Sequence, residues 1–120
     1  MKNPASLQPG DIVIVRQQII DGQEIKSRMW VVISKNLLHQ NSNGCILLAI
    51  TTNPITSSFM MRIEHRHIQT GSLDRIDESK VIVDKPVWTK IADITGVVGK
   101  ITPAFYQDIK SKLKSDILEI

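Results

Sequence analysis

The chain has 120 residues, 42 % hydrophobic and 22 % charged, enough for one compact domain and too few for two of ordinary size. This composition excludes a disordered chain, and no stretch approaches the roughly 20 apolar residues of a membrane helix. A formal net charge of +3 permits a polyanionic partner without requiring one, while aromatics at 4 % are sparse for a protein that stacks bases along an aromatic platform.

Pro9-Gly10-Asp11 is a turn signal, and the β-branched run Ile12-Val13-Ile14-Val15 predicts a short buried strand. Asp21-Gly22 marks the next turn, and the polar segment from Gln23 to Ser27 reads as a loop. A second strand is expected from Met29 to Ile33, then one helical turn from Lys35 to Gln40 and a loop at Asn41-Ser42-Asn43-Gly44. Cys45 to Thr51 is almost wholly apolar, so it predicts a central strand, which Asn53-Pro54 ends. Phe59 to Glu64 and Val81-Ile82-Val83 predict a fourth and a fifth strand, separated by a charged, turn-rich stretch from Gly71 to Ser79. Gly96-Val97-Val98-Gly99 carries a further short one.

The pattern then changes. Thr102-Pro103 offers an N-cap followed by proline at the first helical position. Phe105, Ile109, Leu113 and Ile117 recur every four residues and share one face, with Lys110, Lys112 and Lys114 towards the end that favours cations. The expectation is an α+β fold: a small, strongly bent antiparallel β-sheet or barrel with a C-terminal helix.

Few residues announce chemistry on their own. His65 and His67 are two apart, and on a strand they would share a face and could share a metal. No third ligand stands out, so a surface pair is the simpler reading, and no metal or other cofactor is expected. His39 follows Leu37-Leu38 and packs or faces solvent. Cys45 is the single cysteine; its apolar neighbours predict a buried, inert thiol, and the lack of a possible intramolecular disulfide fits a reducing cytoplasm. No signal peptide is visible at the start of the chain, so a soluble cytoplasmic protein without a membrane partner is expected. Gly96-Val97-Val98-Gly99 lacks the Walker and Rossmann patterns, and no GxSxG elbow is present. Thr51 reads as a hydroxyl that closes a strand and starts a turn. Asp84 likewise ends Val81-Ile82-Val83, and Arg28 reads as a cation at a strand end.

Four pieces taken together resemble the MazF/PemK (Kid) family of type II toxin–antitoxin toxins. They are Pro9-Gly10-Asp11-Ile12-Val13-Ile14-Val15; Arg28-Met29-Trp30-Val31-Val32-Ile33-Ser34-Lys35-Asn36; Leu48-Ala49-Ile50-Thr51-Thr52; and Val81-Ile82-Val83-Asp84-Lys85-Pro86 with Gly99-Lys100-Ile101-Thr102-Pro103 after it. Their order and spacing match from about Gln8 to Leu118. The resemblance implies one such domain over 1–120, an SH3-like β-barrel with a C-terminal helix, and a homodimer. It also implies a metal-independent, sequence-specific endoribonuclease that cuts single-stranded mRNA and is held inactive by a cognate antitoxin with a disordered tail. The family's catalytic arginine and threonine map onto Arg28 and Thr51, and its acidic residue onto Asp84. Lys26, Thr52 and Trp88 are the expected RNA contacts, with Trp88 either stacking on a base or packing in a dimer seam.

The chain also departs from the family. Met29 replaces the proline after the arginine, Gln23 stands where some members carry histidine, and Val87-Trp88-Thr89 stands where a further arginine is usual. A binding module on the same barrel, either RNA-binding without cleavage or gyrase-targeting like CcdB, is the alternative. The tail from Ser115 to Ile120 lacks the tryptophan characteristic of the gyrase poisons.

Overall fold

The structure, a computed structural model, describes residues 6–15, 18–20, 23–25, 29–35, 38, 41–54, 56–73 and 75–118. Strand β5 (Gly44–Thr51) is its organising element. On one edge β5 pairs antiparallel with β4 (Met29–Val32), in the register Met29↔Ile50 to Val32↔Leu47. Its other edge is shared by two strands. β8 (Lys80–Ile82) takes Ile50 and Thr51, and β9 (Val87–Lys90) takes Gly44 to Leu47. Beyond β4 come β1 (Asp11–Val15), β10 (Ile94–Ile101) and β7 (Ile68–Gly71), and beyond β8 comes β6 (Met60–Arg62). A separate hairpin joins β2 (Gln18–Ile20) to β3 (Gln23–Ile25).

The long sheet is bent for a local reason. The β1–β10 register shifts twice, between Ile12 and Val13 and between Ile14 and Val15, and each irregularity bends the strand and increases its twist. At the far edge Gly71 faces Gly99, and Gly71 has φ +77°. A Cβ on Gly71 would lie 2.1 Å from the Val98 carbonyl oxygen, so only glycine admits this approach of two backbones.

Alternation along β5 buries both faces. Leu48 and Ile50 join Ile12, Val31, Val81 and Ile101 in one cluster. Cys45, Leu47 and Ala49 join Val13, Trp30 and Val32 in the other. The helix α1 (Pro103–Lys112) covers the first. Thr102 Oγ1 accepts from the Phe105 N–H at 3.2 Å, Pro103 occupies the first turn, and Phe105 and Ile109 are buried. Leu113 and Ile117 continue that packing through a wider, π-type turn over Leu113–Leu118. The α+β class, the bent antiparallel sheet and the C-terminal helix are therefore as the sequence predicts.

Several local expectations are corrected. Gln23–Ile25 is a strand rather than loop, because it finds a partner in Gln18–Ile20. Asn41 and Ser42 are helical rather than loop; the Ser42 hydroxyl donates to the Leu38 carbonyl at 2.6 Å. The predicted strand from Phe59 to Glu64 contracts to Met60–Arg62, and the short one at 96–99 extends to Ile94–Ile101. His65–His67 forms a 3-10 turn, so the two histidines do not share a strand face. Of the helical turn expected from Lys35 to Gln40, residues 36, 37, 39 and 40 lie outside the described residues, as do the Asp21-Gly22 turn and His39.

Candidate active site

Thr51 is the last residue of β5, half-buried, and pairs directly with Lys80 on β8. Lys80 in turn pairs with Arg62 on β6, so Thr51, Lys80 and Arg62 form one rung across three strands. Residues directly opposite one another share a face, which sets one hydroxyl beside two cations over roughly 10 Å. The Thr51 hydroxyl oxygen accepts from the Asn53 N–H at 3.1 Å, the strand-closing turn expected from sequence. The Lys80 ammonium donates to the Asn53 carbonyl at 2.7 Å, and the Arg62 guanidinium donates to the Asp77 carbonyl at 2.9 Å. A groove of about 250 Å³ runs beside the rung, lined in part by Thr56, Ser57, Met60, Arg62 and Lys80, with Asp77 and Glu78 also on its wall. Glu78 is engaged by Arg75, whose guanidinium holds its carboxyl below the usual carboxylate range.

The other residues expected at the site distribute unevenly. Thr52, half-buried, follows Thr51 directly. Arg28 and Lys26 lie outside the described residues; Met29, next in sequence to Arg28, pairs with Ile50, next to Thr51. Asp84 is half-buried in the bend after β8, four residues beyond Lys80. Four fully extended residues at ~3.3 Å each would span about 13 Å, and the bend shortens that path, so Asp84 lies at most that far from Thr51's strand partner. Trp88 is 52 % exposed, so the burial expected of a tryptophan is not met within the chain. It pairs with Ile46, five residues from Thr51 and on the opposite face of β5, and its ring lies against Gly44. Within one chain, then, Trp88 and Thr51 are not brought together. Sequence reasoning missed Lys80 and Asn53: they are 27 residues apart, and no local pattern couples them.

The remaining titratable candidates have structural roles. The His67 ring stacks on Phe105 with centroids 3.9 Å apart, and its Nδ1 accepts from the Glu64 N–H at 3.0 Å. Burial lowers its pKa, Arg66 adds to this, and Glu64 and Asp108 oppose it. The Cys45 thiol is buried and its pKa is pushed up to about 11, in line with the inert thiol expected. Among the described residues no group of three or more His, Cys, Asp or Glu is arranged to hold a metal ion, and no helix is long and apolar enough to cross a membrane.

Solved structures share this architecture. MazF from Deinococcus radiodurans aligns with TM-score 0.69 at 13 % identity, covering 91 % of this chain and 94 % of its own. A mycobacterial endoribonuclease in complex with its cognate antitoxin aligns with TM-score 0.67 at 14 % identity, covering 92 % and 93 %. The Mycobacterium tuberculosis toxin MazF-mt6 aligns with TM-score 0.63 at 12 % identity, covering 89 % and 97 %. At such identities the likeness establishes the fold. No curated protein matches the chain in sequence. The sequence model of one family does match, over residues 8–116, nearly the whole span that builds the sheet and the helix. The chain belongs to the PemK-like, MazF-like toxins of type II toxin–antitoxin systems.

Proposed function

We propose that this toxin is an endoribonuclease that cuts single-stranded mRNA at short sequences without a metal ion. The observation that carries the reading is the β4–β5 register in a chain of this toxin family. It pairs Met29, the residue after Arg28, with Ile50, the residue before Thr51.

The chemistry needs neither a water nucleophile nor a metal. The ribose 2′-oxygen attacks the neighbouring phosphorus and the bond to the 5′-oxygen breaks, leaving a 2′,3′-cyclic phosphate and a 5′-hydroxyl. Negative charge grows on the phosphoryl oxygens, so donors aimed at them lower the barrier. Arg28 brings a planar fork of N–H donors suited to phosphate, and a guanidinium stays protonated, which makes it a poor base. Its role here is charge stabilisation and delivery of a proton to the leaving oxygen. Thr51 adds an O–H donor at a strand end. The 2′-OH proton passes to Asp84, in the bend after β8, or to water. Lys26 and Thr52 hold the RNA backbone, and Trp88, exposed on the other face, offers a stacking surface to bases beyond the cut or to a second copy in a homodimer.

The regulatory partner follows from the family: a cognate antitoxin with a disordered tail, in the cytoplasm where mRNA is found. The similar mycobacterial endoribonuclease is itself solved with its antitoxin.

The test is a long single-stranded RNA incubated with the protein in excess EDTA, beside Arg28→Ala and Thr51→Ala. Wild type should cut, and each variant should lose about 10²–10³-fold in kcat, the usual cost of one transition-state donor. Intact RNA with wild type, across varied sequences, would sink the nuclease reading in favour of binding alone. Variants that cut as fast as wild type would remove Arg28 and Thr51 from the site.

A further inference from the structure

We infer that Lys80 is a positioning residue for RNA cleavage, acting on the Thr51 hydroxyl through Asn53; the inference rests on the nuclease reading above. Thr51 and Lys80 are direct partners across β5 and β8, and both bind the same residue. Thr51 Oγ1 takes the Asn53 N–H at 3.1 Å, and Lys80 Nζ holds the Asn53 carbonyl at 2.7 Å. These bonds fall on the two peptide units that flank the Asn53 Cα. Pro54 follows, and proline confines the residue before it to extended backbone. Asn53 is therefore fixed from three sides.

The consequence for Thr51 comes from counting its donor and acceptors. A hydroxyl has one proton and two lone pairs. With one lone pair engaged by the Asn53 N–H, the oxygen is held in place and its proton points away from that bond, where it can be given to a phosphoryl oxygen. A serine or threonine turn of this kind is weak alone and exposed to competing water. The Lys80 contact is charge-assisted and anchors the turn's far half to the neighbouring strand. Lys80 thus makes an orienting bond out of a marginal one, without touching the reacting atoms.

A direct contact between Lys80 and an RNA phosphate is the competing account, and kinetics separate the two. The variants are Lys80→Met, Lys80→Arg, Thr51→Val and the double Lys80→Met/Thr51→Val, assayed on a short RNA in EDTA. Positioning predicts that Lys80→Met lowers kcat about tenfold with KM changed less than about twofold, and that Lys80→Arg, which can still reach the carbonyl, recovers most of the loss. In the Thr51→Val background Lys80→Met should have no further effect. Hydrogen exchange of the Asn53 amide should accelerate in both Lys80→Met and Thr51→Val. A raised KM, unchanged kcat and a shallower salt dependence in Lys80→Met would overturn the inference in favour of phosphate contact. Unchanged Asn53 exchange in Lys80→Met would overturn it as well. Absence of cleavage by wild type would instead refute the nuclease reading, and the exchange measurement would still decide whether Lys80 holds the turn.

Discussion

On one face of the sheet the cover is a separate element, α1, latched at named polar points: the Thr102 cap, the Tyr106 hydroxyl donating to the Ile33 carbonyl at 3.0 Å, and the His67 ring on Phe105. On the other face Trp30, Val32, Cys45 and Leu47 cluster with Leu7 ahead of β1, Ile91 ahead of β10 and Ile94 at the start of β10. The first face adds to its buried Phe105 and Ile109 a set of contacts that can open or titrate one at a time. The second is held by fitted volume. Stress should therefore loosen the helix face locally, whereas damage to the other face should be felt by the whole sheet.

The largest expected effect is on the volume-held face. Trp30 is 2 % exposed and pairs with both Val13 and Ala49. Trp30→Ala should lower global stability by about 3–5 kcal/mol, seen as a lower urea midpoint. A loss well below 1 kcal/mol would mean this face does not depend on its packing.

Next comes the latch at Tyr106. Tyr106→Phe removes one hydrogen bond and should cost about 1 kcal/mol. Amide exchange in α1 should quicken while β4 and β5 keep their protection. Equal acceleration in β4 and β5 would erase the distinction between the faces.

A smaller effect concerns pH. The folded state holds His67 below its unfolded pKa, so the unfolded chain binds the extra proton first and stability falls as pH drops below about 6.5. The sense of the shift makes the loss fully developed only below the folded pKa. His67→Phe keeps a ring against Phe105 and should show a flatter melting temperature between pH 7.5 and pH 5 than wild type. A steeper one would refute the role given to the stack.

The smallest expected response is none. Cys45, buried with its pKa pushed up to about 11, should resist alkylation at pH 8 in the native protein and react once unfolded. Rapid labelling of native protein would reveal that the second face opens as readily as the first.

The sequence is most legible where the local signal and the tertiary partner agree. Ile12 to Val15 and Cys45 to Thr51 are apolar runs whose both faces are buried, and Thr102-Pro103 caps a helix whose four-residue repeat meets the core. Ile68–Gly71 and Val87–Lys90 escaped notice because each is short, mixed in polarity, and made a strand by its partner: β10 for one, the spare half of an edge of β5 for the other. The hairpin at Gln23–Ile25 was hidden for the same reason. At the candidate site, Thr51 and Asp84 stood at strand ends that could be read directly. What could not be read was their separation, or the Lys80–Asn53 contact, because both depend on which residues face each other across β8.

One pairing has a consequence in time. β1 at Asp11–Val15 has its longest partnership with β10 at Ile94–Ile101, so the sheet's centre cannot close until nearly the whole chain exists. At about 5–20 residues per second, a ribosome needs roughly 4–16 s to travel from the first strand to the last. Throughout that interval Trp30 and the β5 residues beside it lack the cover of Ile91 and Ile94. The Trp30 face of a nascent chain therefore stays open until β10 is made, and for that time its apolar side chains are exposed to wrong partners.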